Sequence, residues 1–474
     1  MKKSRIHLTL KCFLLFALLF MVHCQPFSSP EKAPILLTLW VTYQGPEIKK
    51  FQEILRRFEK EYPQKYGKEI RVEAKQVPFD DLVTNIKMAC ISGRTPDIAR
   101  VDVMKMVELA YHKVIVPLDQ LESFDASSIQ EKKKEFLSVP FQTNVIEVKN
   151  QKGDWENHLY GLPEQTTCLA LFWNRKLFRE REEALRKAGL NPNCAPKNWE
   201  ELIRYGKVLT QPEKGLYGFA MNNSLWWTMP FFGLFGGSFI QKDKQGRKVC
   251  PLGDERTKAA LQLKVDLYRR HKIEAGAWKS GALGPDVSFL NEKVAMIFMG
   301  PWMVERFLQK GLDFGISLIP PITKHMAQKA GLKKIPPSAT NIGGNNLVIF
   351  ESCRHKDAAY RLLKFITSTE VQLDWCLSLK QIPVNRKALQ ILLGQLPYSG
   401  DGDRTIEVDP YLKVFMHQIE YAMVPPQIPR YGYIESDIMN PEMELALKGK
   451  KTVEQALKDG ARRINQEILS KVNE

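Results

Sequence analysis

Aromatic residues stand beside hydrogen-bonding residues in two short stretches of this chain, and a third stretch carries a tryptophan directly after Gly-Pro. The stretches are WVTYQGPE around Tyr43, NNSLWWT around Trp226 and MGPWM around Trp302. Aromatic rings bind the flat C–H faces of sugars, while Asp, Glu, Asn, Gln and Arg side chains pair with sugar hydroxyls. Two adjacent tryptophans on an exposed turn are also costly unless something covers one of them. These residue types therefore favour binding of a carbohydrate.

Motifs for chemistry on a substrate are absent from the sequence. There is no GxxxxGK[ST] loop and no GxGxxG after a predicted strand. No CxxC or Cys/His spacing indicates zinc, and no local motif nominates the carboxylate pair of a glycoside hydrolase. We therefore expect a protein that is not an enzyme, with no cofactor and no metal. A secreted glycoside hydrolase stays as an alternative, which release of reducing sugar from a glycan would reveal.

The N-terminus has the pattern of an export signal. Residues 2–11 carry four basic side chains, residues 12–22 are apolar without a charge, and Cys24 follows. This order predicts a lipoprotein signal over residues 1–23, with lipid attached to Cys24. An ordinary signal peptide cleaved near Ser28 is the alternative. Either way we expect an exported protein, periplasmic or on the outer surface. The lipoprotein signal adds anchoring to the membrane through the lipid on Cys24.

The charge and length describe a basic, multidomain body. The 474 residues carry 69 Lys and Arg against 53 Asp and Glu, a formal charge of +16. Removing the four basic residues of the signal leaves 65 − 53 = +12. The basic runs lie far apart with acids between them, so we expect a solvated surface and no nucleic-acid partner. The length indicates two or three domains of roughly 150 residues each.

Six cysteines remain after the signal and Cys24 are set aside. An oxidising compartment permits disulfides, but six cysteines allow too many pairings to choose among. The pairing stays open. The six cysteines are Cys90, Cys168, Cys194, Cys250, Cys353 and Cys376.

Strand and helix patterns alternate along the chain. Residues 35–42 are an apolar β-rich run, residues 46–62 have a helical period that Pro63 should stop, and residues 70–77 alternate as a strand. Such alternation predicts an α/β fold with a parallel sheet. Further predicted strands are 168–173, 294–299, 314–320 and 347–350, and further helices are 79–91, 199–209, 356 toward 375, and 453–469.

The order of these segments resembles one protein family. The segments are LWVTYQGPEIKKFQEILRRFEKEYP, SGRTPDIARVDVMKMVELA, YGLPEQTTCLALFWNRKLF, NWEEL, WWTMPFFGLFGG, FLNEKVAMIFMGPWMVERF, IGGNNLVIF with KDAAYRLLKFITSTEVQ, and TVEQALKDGARRINQ. From about Leu37 to Glu467 the chain resembles the family 1 extracellular solute-binding proteins of ABC importers, the maltose-binding-protein-like group.

The resemblance implies a two-lobed periplasmic-binding-protein fold of type II, with discontinuous lobes and a hinge. Lobe one would hold residues 34–163 and 345–405, and lobe two residues 164–344 and 406–474. The chain would cross between the lobes three times, near residues 162–167, 340–345 and 404–409. Ligand would close the lobes by a hinge motion. The closed monomer would then deliver a sugar to the membrane permease.

The resemblance also nominates the ligand-binding residues. Asp102 follows the third strand, and its alternative role is to cap a helix over residues 103–110. Glu164 and Gln165 lie on the first crossing between lobes, and Asn345 lies on the second. The full set is Tyr43, Gln44, Glu47, Asp102, Glu164, Gln165, Trp226, Trp227, Trp302, Asn345 and Tyr433, with Glu435 beside the last.

The ligand itself stays open at this point. Val101, Asp102 and Val103 stand where the maltose-binding relative has an aromatic residue followed by an acid and a base, so maltose is not implied. Because the body is basic, the same fold binding a glycerol phosphodiester or another anionic solute is an alternative. A lipoprotein that kept the fold and lost its ligand is another.

Overall fold

A computed structural model describes residues 33–397 and 406–474. The predicted signal, Cys24 and part of the predicted third crossing lie outside these ranges. Within them, none of the helices combines the length and the apolar character that crossing a lipid bilayer requires.

Two main sheets organise the chain. The strands are β1 (Ile35–Val41), β2 (Ile70–Gln76), β3 (Ile98–Asp102), β4 (Val145–Lys149), β5 (Trp155–Leu159), β6 (Leu162–Thr167), β7 (Ala170–Asn174), β8 (Gln241–Lys242), β9 (Lys248–Val249), β10 (Met296–Met299), β11 (Phe314–Ser317) and β12 (Gly343–Ile349). The first sheet has the order β2-β1-β3-β12-β6 and the second the order β10-β7-β11. In the first, β1 runs parallel to β2 and β3, as the alternation of strands and helices predicts.

Helices cover both sheets. They are α1 (Pro46–Tyr66), α2 (Leu82–Ser92), α3 (Met106–Tyr111), α4 (Ile129–Lys133), α5 (Ser138–Gln142), α6 (Arg175–Glu180), α7 (Glu182–Lys187), α8 (Trp199–Leu209), α9 (Leu225–Leu234), α10 (Glu255–Arg269), α11 (Pro285–Leu290), α12 (Val304–Gln309), α13 (Lys324–Lys329), α14 (Lys356–Ile366), α15 (Thr369–Leu379), α16 (Arg386–Leu392), α17 (Pro410–Gln418), α18 (Tyr431–Tyr433), α19 (Asn440–Leu447), α20 (Val453–Ile464) and α21 (Ser470–Asn473).

Two helix predictions were wrong in detail. Pro63 does not stop α1, which continues to Tyr66 and ends where Gly67 adopts φ 66° and donates its N–H to the Pro63 carbonyl. The helix expected from residue 356 toward 375 is two helices. Ser368 ends the run because its hydroxyl accepts the N–H of Val371 and caps α15.

Strands β6 and β12, which overlap the first and the second predicted crossing, lie side by side. They pair antiparallel from Gly343 opposite Thr167 to Leu347 opposite Leu162. Gly344 has φ 122°, and a Cβ at this position would lie 2.1 Å from the Gln165 carbonyl oxygen, so only glycine fits there. The two segments are therefore joined to each other within the first sheet.

A second contact joins hairpin β4–β5, which follows the first sheet's strand β3, to hairpin β8–β9. The Lys242 Nζ lies 2.7 Å from Glu147 Oε1. The Lys248 Nζ lies 4.2 Å from the centre of the Trp155 ring and donates to the Tyr111 hydroxyl at 3.2 Å. The two hairpins thus share a buried cation between aromatic rings.

All six cysteines of the described residues are free thiols, which answers the open pairing question. We expect alkylation of the native protein to label Cys90 first, because it is exposed while Cys168, Cys250, Cys353 and Cys376 are buried. Partial burial raises the pKa of the Cys90 thiol, so the reaction should accelerate above neutral pH. Peptide mapping after brief alkylation checks this result. A native protein in which Cys90 stays unlabelled would contradict it.

Candidate functional site

Three tryptophans predicted from the sequence meet in one cluster. Trp226 and Trp227 lie in the first turn of α9, and Trp302 lies in the turn after β10. Their ring centroids are 5.2 Å apart for Trp226–Trp227 and 6.3 Å apart for both pairs with Trp302. Trp302 keeps 48% of its surface exposed, whereas the other two are half-buried. We call these three residues the tryptophan platform.

The start of α9 is fixed by hydrogen bonds that satisfy its first N–H groups. The Ser224 hydroxyl accepts from Trp227 N at 3.4 Å, and Glu435 Oε1 accepts from Trp226 N at 2.8 Å. The indole N–H of Trp226 donates to the Ile342 carbonyl at 2.9 Å, next to β12. The Trp226 ring is therefore attached to the chain just before the second crossing.

Trp302 folds back over Gly300. A Cβ added to Gly300 would lie 1.7 Å from the Trp302 ring, so the ring occupies the space of the missing side chain. Pro301 starts the short 3-10 turn that carries Trp302. This packing explains why the sequence GPW holds an exposed ring in one orientation.

A buried polar network lies beside the crossings, centred on Arg100 of β3. Its Nε donates to Glu164 Oε2 at 2.8 Å, and Nη1 donates to the Thr42 hydroxyl at 2.5 Å. Nη2 donates to the Gln165 side-chain oxygen. When the Asn345 amide is oriented with its oxygen toward the guanidinium, that oxygen accepts at 3.0 and 3.1 Å.

Predicted ligand contacts on lobe one divide by burial. Tyr43 is 1% exposed and packs between Phe51 and Trp375, with the Arg100 guanidinium 4.3 Å from its ring centre. Burial, followed by Glu164, raises the pKa of the Tyr43 hydroxyl. That hydroxyl has no partner among the described residues. Tyr43 thus packs inside the first lobe and presents almost no surface in this structure.

Four further predicted ligand contacts, namely Glu47, Glu164, Gln165 and Asn345, have protein partners. Glu164 is 2% exposed and bound to Arg100, and Asn345 is 6% exposed in the same network. Glu47 is half-buried, and its Oε1 accepts from Gln381 Nε2 at 2.7 Å, whereas Gln44 is exposed. Glu164, Gln165 and Asn345 therefore join the crossing strands to one another here.

Asp102 is the last residue of β3. Its Oδ1 accepts from Met104 N at 2.8 Å, and α3 begins only at Met106, so Asp102 closes a turn instead of capping the predicted helix. Burial raises the pKa of the Asp102 carboxyl, and the nearby Glu435 carboxylate adds to that shift. Lys105 acts in the opposite direction. The Asp102 carboxyl thus lies near enough to the Glu435 carboxylate for their charges to interact.

Tyr431, which the sequence reasoning missed, is a buried aromatic residue near enough to Asp102 and Glu435 for their charges to act on its hydroxyl. Tyr431 is 4% exposed, and its hydroxyl has no partner among the described residues. Burial raises the pKa of this hydroxyl, and Glu435 and Asp102 raise it further. The predicted Tyr433 instead donates to Glu467 at 2.6 Å. The signal available in the sequence was the pair of tyrosines in RYGYIES, which does not say which one turns inward.

These elements define a two-lobed binding protein, and comparison with known proteins agrees. The model of the bacterial extracellular solute-binding protein family matches residues 44–373. The chain belongs to this family, as the sequence predicted, and a family of extracellular proteins implies that the chain is exported.

Individual relatives share the fold at low identity. The maltotriose-binding protein of Pyrococcus abyssi is 22% identical over 406 residues, which is 84% of this chain and 74% of that protein. The cyclic alpha-maltosyl-1,6-maltose binding protein of Arthrobacter globiformis superposes with a TM-score of 0.70 at 20% identity, covering 91% of this chain and 98% of that one. The GacH receptor of Streptomyces glaucescens gives a TM-score of 0.66 at 21% identity, covering 91% and 98%. The predicted two-lobed α/β fold is confirmed.

Proposed function

We propose that this protein is the substrate-binding receptor of an ABC importer that captures a carbohydrate between its lobes. The single observation that carries the proposal is the tryptophan platform. Its exposed Trp302 ring lies 6.3 Å from the Trp226 ring centre, and the Trp226 backbone N–H donates to Glu435, whose charge acts on Asp102. Rings beside carboxyl groups match the flat faces and the hydroxyls of a sugar. Two of the relatives are named for binding maltotriose and cyclic alpha-maltosyl-1,6-maltose, and the GacH receptor forms a complex with acarbose, which supports the same ligand class.

The charges near the platform favour a neutral sugar over an anionic solute. Arg100 is paired with Glu164 inside the fold, so its charge is balanced before any ligand arrives. Asp102 and Glu435 would both repel an anion bound between them. We therefore infer that a phosphodiester or an acidic sugar binds less well than a neutral oligosaccharide.

We further propose how the receptor delivers its ligand to the permease. The receptor does no chemistry on its ligand, acts as a monomer and docks on the permease in its closed form. Lipid on Cys24 would anchor it to the membrane. Lobe one would comprise 34–163 and 345–405, and lobe two 164–344 and 406–474. The pairing of β6 with β12 supports crossings at these two places.

A thermal-shift screen tests the proposal. The panel would contain neutral oligosaccharides, including maltotriose, and glycerol phosphates. A sugar at a hundred times its Kd is expected to add ~2.7 kcal/mol to the free energy of unfolding. Ile91→Ala, which changes an 81% exposed side chain on α2, is the control variant and should respond like the original protein. Stabilisation by glycerol phosphates alone would overturn the neutral-sugar version, and recovery of a cleaved sugar would overturn the non-enzymatic one.

Gly300→Ala is expected to weaken sugar binding by about 1 kcal/mol or more, because the new Cβ displaces the Trp302 ring. Stability should change little, since Trp302 is 48% exposed and can turn into solvent. Calorimetric titration with the sugar found in the screen measures the change. In a Trp302→Ala background the same substitution should have no further effect. An additional loss in that background would mean that Gly300 acts on something other than Trp302.

A further inference from the structure

A buried lysine lies beneath the segment that carries two of the platform tryptophans. Lys264 of α10 is fully buried, and its Nζ donates three hydrogen bonds. The acceptors are the Asn222 carbonyl at 3.1 Å, Asn223 Oδ1 at 3.4 Å and the Thr228 hydroxyl at 2.6 Å. These acceptors lie on both sides of Trp226 and Trp227, so one amine holds the two ends of that short segment together.

A buried carboxylate holds the start of the same segment. Glu274 is 2% exposed, and its Oε1 accepts from Met221 N at 3.2 Å. Its Oε2 accepts from Gly276 N at 2.8 Å and from the Trp278 indole at 3.1 Å. The segment from residue 221 to residue 228 is therefore bonded to two ionisable groups that the sugar site itself does not use.

Stability alone does not account for these groups. Burying an ammonium or a carboxylate carries a large desolvation penalty, and apolar residues of similar volume are often as stable or more stable in such places. A positive charge near the first turn of α9 is also unfavourable for the helix dipole. What the two groups do provide is a set of short, directional hydrogen bonds to one piece of backbone.

We propose that Lys264 and Glu274 are positioning residues that fix the orientation of Trp226 and Trp227 for carbohydrate binding. This inference rests on the proposed function for its last step, because the platform matters only if a sugar binds there. The positioning itself is a property of the protein without ligand.

The protonation of the pair gives the inference a measurable signature. Burial lowers the pKa of Lys264 to about 7, with Glu274 acting in the opposite direction. Burial raises the pKa of Glu274 to about 7 against the hydrogen bonds from Gly276, Met221, Ala277 and Trp278. Above pH 7 the neutral amine has one N–H fewer to donate, and below pH 7 the protonated carboxyl accepts less well. The orientation of the segment should thus be best defined near neutral pH.

The test is 19F NMR of protein labelled with 5-fluorotryptophan, with Trp226 and Trp227 assigned by substitution to Phe. Lys264→Met is expected to shift both resonances and to remove their pH dependence above pH 7, while Glu274→Gln removes it below pH 7. The matched control is Lys258→Met on the same helix, whose side chain is 24% exposed and paired with Glu255. Resonances that do not move in folded Lys264→Met protein would overturn the inference. Thr228→Val, which deletes one acceptor, serves if Lys264→Met does not fold, and unmoved resonances there have the same meaning.

Titration with maltotriose separates this inference from the proposed function. If the original protein binds it, Lys264→Met should weaken binding at least tenfold at pH 7 and Lys258→Met should not. Unchanged affinity in Lys264→Met would overturn the link to binding. If neither maltotriose nor any other saccharide of the screen binds the original protein, the proposed function fails, while the fluorine resonances still decide whether Lys264 positions the tryptophans.

Discussion

Replacing Arg100 by Met is expected to lower the free energy of unfolding by about 3–5 kcal/mol, the range found when one partner of a buried ion pair is removed. Glu164, at 2% exposure, would lose the guanidinium that donates to it at 2.8 Å. Thr42 and Gln165 would lose a donor at the same time. Urea unfolding followed by circular dichroism measures the change in the free energy of unfolding.

A double-mutant cycle shows whether the loss comes from the ion pair. Adding Glu164→Gln to Arg100→Met should recover part of the stability, because it removes the uncompensated charge. Arg94→Met is the matched control, since Arg94 is exposed and lies just before β3. If Arg100→Met is no less stable than Arg94→Met, the network does not hold the crossing strands.

The Arg100 network could be predicted from the sequence only in part. A third strand was expected from the sequence, and Asp102 after it was recognised as a candidate. Arg100 was not, because Thr42, Glu164 and Gln165 are 58 to 65 residues away along the chain, Asn345 is farther still, and no local spacing connects them with Arg100. A charged residue within a short strand is also usually solvent-facing, and only the position of β3 between β1 and β12 buries it.

Local sequence patterns predicted which helices and strands form better than they predicted where the helices end. The alternation of apolar runs and amphipathic helices gave the α/β class, because it follows from which faces are buried. The predicted helix ends at Pro63 and around Ser368 were wrong because helix ends depend on capping residues. Gly67 in the left-handed region and the Ser368 hydroxyl decide them.

The candidate site was predicted in part for a similar reason. Tryptophans are costly to expose, so Trp226, Trp227 and Trp302 were conspicuous in the sequence, and the fold brings all three together. Tyr431 and Tyr433 are equally suitable by residue type. Which of them lies near Asp102 depends on the rotation of one short helix. No local pattern in the sequence indicates that rotation.

Trp302→Ala is expected to weaken carbohydrate binding by about 2 kcal/mol or more, roughly thirtyfold, as aromatic anchors at binding sites do. Its ring is 48% exposed without ligand, so the substitution removes little packing and should leave the thermal midpoint nearly unchanged. Trp226→Ala should lower both affinity and stability, because the Trp226 indole also bonds the Ile342 carbonyl and packs against Gly343.

The contrast between these two variants tests the platform as a binding surface. Calorimetric titration and thermal melts of both variants and of Ile91→Ala should give three different outcomes: lost affinity alone, lost affinity with lost stability, and no change. Trp302→Phe should keep part of the affinity, since a smaller ring still covers a sugar face. If Trp302→Ala binds the sugar as tightly as the original protein does, the exposed ring is not part of the site. The sugar would then have to lie against other residues between the lobes, with Asp102 and Tyr431 the next to be substituted.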